Sequence, residues 1–94
     1  MPILRIQHTT PTYDAWKRSF DSDPVNRKDG GVRRYQVHRS VSDPTFVMID
    51  LEFDRVDEAE SFLGKLRELW DGPAKAVAQN PEAWVVETVE TVDV

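Results

Sequence analysis

Thr45-Phe46-Val47-Met48-Ile49-Asp50-Leu51-Glu52-Phe53 is the most apolar run of the chain, and Asp54-Arg55-Val56-Asp57-Glu58-Ala59 follows it directly. The first nine residues are rich in β-branched and aromatic side chains and predict a central strand over 45–53. Beyond Asp54 the apolar period changes from two to 3.6. Ala59, Phe62, Leu63, Leu66 and Trp70 fall at i, i+3, i+4, i+7 and i+11, which is one face of a helix. Asp54 stands where an N-cap belongs, with Asp57 three residues on as an approximate capping box. Asp71-Gly72-Pro73 ends the helix.

Working back toward the N-terminus, Ser42-Asp43-Pro44-Thr45 joins this strand to another over residues 32–41, since Asp-Pro initiates turns. A four-residue loop pairs Val41 with Phe46, Arg39 with Met48, Val37 with Asp50 and Tyr35 with Glu52. In that register Gln36, His38, Val47, Ile49, Leu51 and Phe53 share the face that meets the helices. Tyr35, Val37, Val41, Phe46 and Met48, with Ile3, share the other. Residues 3–10 alternate as a first strand, stopped by Pro11, which lacks an N–H and restricts Thr10. Thr12 is the expected N-cap of the next element, and Asp14 lies in its first turn. Tyr13, Trp16 and Phe20 make an aromatic stripe on it. A kinked or two-part helix is expected over 12–29, its second part begun by Pro24 and its end set by Gly30-Gly31.

Toward the C-terminus, residues 74–79 read as one helical turn with Ala74, Val77 and Ala78 inward, ended by Asn80-Pro81. Residues 83–92 are a valine- and threonine-rich last strand. The order β-α-β-β-α-β places the chain in the α+β class as one domain over 1–94. It predicts a ferredoxin-like four-stranded antiparallel sheet with both helices on one face.

Ninety-four residues without a cysteine must be stabilised by a small core alone, or by a second chain. Helices cover one face of such a sheet. The apolar groups left on the other predict a homodimer formed through that sheet face, with Arg5, Arg39, Asp50 and Glu52 available to pair across it. The net charge of −5 argues against nucleic acid and anionic membranes as partners. The basic residues Arg27, Lys28, Arg33, Arg34 and Arg39 read as a solvated strand edge. No apolar run approaches the roughly 18 residues of a membrane span, and the first residues do not resemble a secretory signal. A cytoplasmic protein is the expectation, in keeping with the lack of cysteine.

Several stretches together resemble the dimeric α/β-barrel superfamily that includes the antibiotic-biosynthesis monooxygenase-like proteins. They are Tyr13-Asp14-Ala15-Trp16-Lys17-Arg18-Ser19-Phe20, Gly30-Gly31, Asp43-Pro44, and Leu51-Glu52-Phe53-Asp54 leading to Ala59 and Phe62-Leu63. The resemblance covers nearly the whole chain and rests on packing and turn signals. It implies two sheets packed face to face, a ligand cleft between sheet and helices, and roles that include cofactor-free oxygenases, haem-degrading enzymes, peroxidases, lactone isomerases and ligand sensors. A haem-degrading member is expected to present a histidine from a helix, whereas both histidines here lie on predicted strands.

His8 and His38 both point into the cleft in the register above and are the candidate general bases near neutral pH; a hydrogen-bonded pocket lining is the competing role. Two histidines without a spaced third ligand predict no metal site, and no cofactor is expected. Trp16 and Trp70, on the inward stripes of the two helices, are candidate walls for a flat ligand, against simple core filling. Tyr13, Tyr35 and Asn26 are candidate hydrogen-bond partners of a ligand, and Trp84 reads as packing. Asp50, in an apolar strand, needs a partner such as Arg5 or Arg39 and reads first as part of an interface ion pair. The functional expectation is a small-molecule-binding dimer. It is a cofactor-free monooxygenase-like or isomerase-like enzyme on a small apolar or aromatic compound, or alternatively a non-catalytic binding, sensing or structural dimer.

Overall fold

The period-two alternation of the first and third strands pairs them at the centre of the sheet. A computed structural model describes Met1–Val94 and gives β1 (Pro2–Thr9), α1 (Tyr13–Asp21), β2 (Arg34–Arg39), β3 (Phe46–Glu52), α2 (Val56–Asp71) and β4 (Gln79–Glu87). The strands pair antiparallel in the order β2-β3-β1-β4, the ferredoxin-like arrangement. Leu4 and Ile6 of β1 and Val47, Ile49 and Leu51 of β3, with Phe53 just beyond, form the buried face. Trp16 of α1 and Ala59, Phe62 and Leu63 of α2 cover it. Leu66 and Trp70 continue the α2 stripe toward its C-terminus and are half-buried.

The register of the β2–β3 hairpin differs from the expected one by a single residue. Tyr35 pairs with Leu51, Val37 with Ile49, His38 with Met48 and Arg39 with Val47. The loop takes five residues rather than four. The Ser40 N–H donates to the Phe46 carbonyl at 3.0 Å, and the Phe46 N–H to that of Asp43 at 3.0 Å. The Asp43 carboxylate accepts the Thr45 N–H at 3.1 Å and its hydroxyl at 2.6 Å, which holds the wider turn. Because side chains alternate, the slip exchanges the faces of β2. Tyr35, Val37 and Arg39 lie on the helix side, Gln36 and His38 on the open side, and Val41 projects from the loop into solvent. The open face therefore carries Ile3, Phe46, Met48, Trp84 and Val86. Among them run the ion pairs Arg5–Asp50 at 2.9 Å and Arg34–Glu52 at 2.6 Å. Arg5, not Arg39, is the partner of Asp50.

Other boundaries also move. α1 ends at Asp21, and residues 22–33 form turns rather than a second helix, because Asp23 (φ 55°) and Asn26 (φ 57°) take the left-handed conformation that breaks a helix. Thr12 sits at the N-cap but its hydroxyl makes no capping bond. At α2 the N-cap is Arg55 rather than Asp54, whose carboxylate is taken by Arg33 at 2.6 Å. β4 starts at Gln79, so Asn80-Pro81 lies inside the strand, where the pairing with β1 slips between Gln7 and Thr9. It stops at Glu87 because Glu87 faces Pro2, the first residue of β1, and residues 88–92 have no neighbouring strand. Ala74 and Ala78 are buried and Val77 half-buried, in a run of turns rather than a helix.

Gly30-Gly31 serves close approach, and no helix reaches it to be ended there. A Cβ on Gly30 would stand 2.5 Å from the Phe62 ring, which itself packs on Phe53 at 5.6 Å between centroids. Gly31 has φ +97° and would bring a Cβ to 2.6 Å from the Glu58 carboxylate. Gly64, in α2, has nothing within 4 Å of the same position. Gly30→Ala is thus expected to destabilise the fold by about 1–3 kcal/mol through overpacking. Gly64→Ala is expected to stabilise it by about 1 kcal/mol through helix propensity. Urea unfolding of the two variants beside the parent checks both signs; a neutral Gly30→Ala would contradict the tight seat of Phe62.

Candidate functional site

Between the sheet and the helices lies an apolar cavity of about 70 Å³. Its floor is Ile6, Ile49 and Leu51, and its roof is Trp16 and Phe20 of α1 with Phe62, Leu66 and Trp70 of α2. The turns around Pro24 and Ala74–Ala78 close its ends. The period of two that buries Leu4 and Ile6 carries on to His8, which is 3% exposed and lines this cavity. The ladder between β1 and β4 is irregular at this residue, opposite Asn80 (φ 53°) and Pro81. Bulges of this kind recur beside functional side chains, where they re-aim one residue without disturbing the rest of the strand.

The His8 ring meets Trp16 edge to face, with centroids 5.5 Å apart. Its Nδ1 lies 3.1 Å from the Thr9 carbonyl oxygen. A carbonyl only accepts, so Nδ1 carries the proton and Nε2 is left as the basic atom of the neutral ring. Nε2 has no partner in the protein and is not sealed from access. Burial disfavours the charged form and pushes the His8 pKa below its ordinary 6.5, and the bond to the Thr9 carbonyl offsets part of that.

The other candidates divide. Trp16 and Trp70 both line the cavity, as their helical stripes predict. Tyr13 lies outside the lining; it packs on Trp16 at 5.8 Å and under the Arg39 guanidinium at 4.7 Å. Asn26 is also outside and is exposed, its side chain occupied in a turn with Asp29 at 2.8 Å. His38 is exposed on the open face and does not join His8, a consequence of the one-residue register difference. No three His, Asp or Glu side chains converge as a metal-ligand set. Tyr35 packs edge to face on Phe20 at 5.2 Å on the helix side.

Arg27 and Asp23 are the charged lining residues that the sequence reading did not single out. Arg27 belongs to the presumed basic edge, but that cluster is dispersed in the structure. Arg33 pairs with Asp54, Arg34 with Glu52, and Arg39 covers Tyr13. Arg27 reaches Phe20 through the turns that follow α1, and no local spacing in the sequence signals that contact.

No protein-family model matches the sequence, and no curated protein matches it. The ferredoxin-like fold is shared with solved structures described as antibiotic biosynthesis monooxygenases. A variant of SnoaB, a cofactor-independent oxygenase from Streptomyces nogalater, superposes with a TM-score of 0.75 at 14% identity over 97% of this chain and 95% of its own. A candidate antibiotic biosynthesis monooxygenase from Bordetella bronchiseptica gives 0.72 at 17% identity, covering 95% and 98%. One from Deinococcus radiodurans gives 0.70 at 15% identity, covering 100% and 98%. Identities this low establish a shared architecture, and chemistry has to be argued from the site.

The lowered His8 pKa has a stability consequence with a definite sign. Well above pH 6.5 the ring is neutral in folded and unfolded chains alike, and the folded state is at full strength. As pH falls below 6.5 the unfolded chain takes up the proton first, so stability declines until the folded His8 also titrates. Urea midpoints measured from pH 7.5 down to 5.5 should fall for the parent and fall less for His8→Gln. Equal slopes would show that His8 is not buried in its neutral form.

Proposed function

We propose that the protein is a homodimeric, cofactor-free monooxygenase-like or isomerase-like enzyme whose cleft takes a small apolar or aromatic compound, with His8 as general base. The observation that carries this reading is His8 itself. It is a buried imidazole, neutral at pH 7, with one nitrogen fixed by a carbonyl and the other free at an apolar cavity. A substrate O–H or activated C–H presented to Nε2 gives up its proton, leaving a substrate anion and an imidazolium. For an isomerase the same proton returns at another carbon. For an oxygenase the carbanion bonds to dioxygen, the resulting peroxide takes the proton back from the imidazolium, and its O–O bond breaks with loss of water to leave a carbonyl, in surroundings from which bulk water is kept out. The fold shared with a cofactor-independent oxygenase supports this direction.

The cavity of about 70 Å³ is half the roughly 150 Å³ that admits benzene. An aromatic ligand must therefore displace part of the wall, for which the turns at 22–33 are the least regular segment. The same small volume favours a second reading, a binding, sensing or structural dimer without catalysis. A panel of quinols and other small aromatics separates the two. A binder at about 100 times its Kd adds about 2.7 kcal/mol, or roughly 10–20 °C in Tm for a domain of this size. Turnover should fall about 10²–10⁴-fold in His8→Gln while binding persists, and His38→Ala should change neither. Binding without turnover would favour the second reading, and the absence of any response would leave only a structural dimer.

The homodimer reading is supported by surface. The chain exposes 6217 Å², against roughly 5,500 Å² for a compact monomer of its mass. Part of the excess lies on the open sheet face, where Trp84 is 45% exposed beside half-buried Ile3, Phe46, Met48 and Val86. Pressing two such faces together gives the α/β barrel and buries the Arg5–Asp50 and Arg34–Glu52 pairs within it. Light scattering should return twice 10.8 kDa for the parent and a single chain for Trp84→Glu, with a lower Tm. A parent that stays monomeric at high concentration would remove this part of the proposal.

A further inference from the structure

Arg27 stands out among the arginines. Arg5, Arg33, Arg34 and Arg55 each close on a carboxylate at 2.6–2.9 Å and lie at the surface. Arg27 is only 16% exposed, and its nearest carboxylate oxygen, on Asp23, stands 3.6 Å from Nε. That oxygen is engaged instead by the Arg27 backbone N–H at 2.8 Å. The guanidinium lies 4.1 Å from the centroid of the Phe20 ring and 5.0 Å from that of Tyr35, so its plane is held by two aromatic neighbours. Nη1 donates to the Phe20 carbonyl at 2.7 Å. The remaining N–H groups have no protein acceptor, and none is sealed away. A guanidinium offers five donors in a rigid fork suited to planar anions. Here most of that fork is unused beside a cavity lined mainly by apolar side chains, with His8, Ser19 and Asp23 the other polar groups of its wall.

The aromatic row that joins the two polar groups sets their relation. His8 touches Trp16 at 5.5 Å, Trp16 touches Phe20 at 5.1 Å, and Phe20 carries Arg27 at 4.1 Å. The base and the fork thus stand at opposite ends of the row, with apolar surface between them. We propose that Arg27 determines specificity by receiving an ionised oxygen substituent, a carboxylate or phenolate, of an aromatic ligand whose ring lies along this row toward His8. The ligand class is then aromatic acids rather than neutral hydrocarbons. This rests on the reading of the cleft as a ligand site and adds the charge that the ligand carries. Asp23 leaves the rim close to neutral when the cleft is empty and gives an incoming anion a competitor that is already beyond hydrogen-bonding distance.

The test uses 2-naphthoate and its neutral counterpart 2-naphthamide, titrated calorimetrically into the full chain at pH 7.5. The parent should bind naphthoate at least about tenfold more tightly than naphthamide, as a charge-assisted hydrogen bond implies. The preference should vanish in Arg27→Gln with naphthamide affinity retained, and return in part in Arg27→Lys. The retained naphthamide binding shows that Arg27→Gln is folded, which a merely structural arginine would not combine with a lost preference. Equal affinities for the two probes in the parent, or a preference that survives Arg27→Gln, overturn the role of Arg27 and leave the cleft reading standing. Failure of both probes to bind the parent overturns both.

Discussion

Burial of one face of β3 is the constraint on which the rest of the structure depends. Val47, Ile49 and Leu51 are almost wholly removed from water beside Leu4 and Ile6 of β1, and both helices lay their apolar stripes on these five side chains. With that face fixed, the strand beside it has only two ways to pair. In one, Gln36 and His38 go under the helices and Tyr35 and Val37 go to the open side. Each unpartnered polar group buried that way costs about 1–3 kcal/mol. In the other, the loop lengthens by one residue and Val41 is left in water, a smaller loss for an exposed turn that Asp43 already organises. The hairpin takes the second course, and every assignment on β2 follows from it.

What could be read from the residues divides along the same line. β1, β3 and α2 were legible because their apolar spacing is dense and one-sided, and Leu4, Ile6, Val47, Ile49, Leu51, Ala59, Phe62 and Leu63 are all in the core. His8, Trp16 and Trp70 reached the cavity by the same spacing. β2 was not legible in register, since Arg34-Tyr35-Gln36-Val37-His38-Arg39 carries large groups on both faces and leaves the choice to its neighbour. The errors at Asp54 and Gly30 have a different origin. Asp54 has the chemistry of a cap, but Arg33, 21 residues away, takes its carboxylate. Gly30 has the chemistry of a helix stop, but the ring of Phe62 makes the more stringent demand. Arg27 was hidden for the same reason, because local sequence does not say which of several basic residues is held between two rings.

The cavity also divides into a fixed side and a yielding one. His8 sits on a central strand with neighbours on both sides, and its ring is steadied by Trp16 and the Thr9 carbonyl. Opposite it, α1 is only nine residues long, and the chain then runs through turns from 22 to 33 with three residues at positive φ. Turns with few buried side chains open at lower free energy than the core strands. A base that must meet a proton within a few tenths of an ångström belongs on the first side, and a wall that must give way to admit a ring belongs on the second. A cavity too small for benzene is compatible with a ligand site when its tight dimension is set by the turns and the short helix instead of by the sheet. Arg27 lies on the yielding side yet is pinned by Phe20 and Tyr35, which belong to the two elements flanking the turns. Its guanidinium is thereby tied to the regular elements on either side of the turns, and it donates to the Phe20 carbonyl as well.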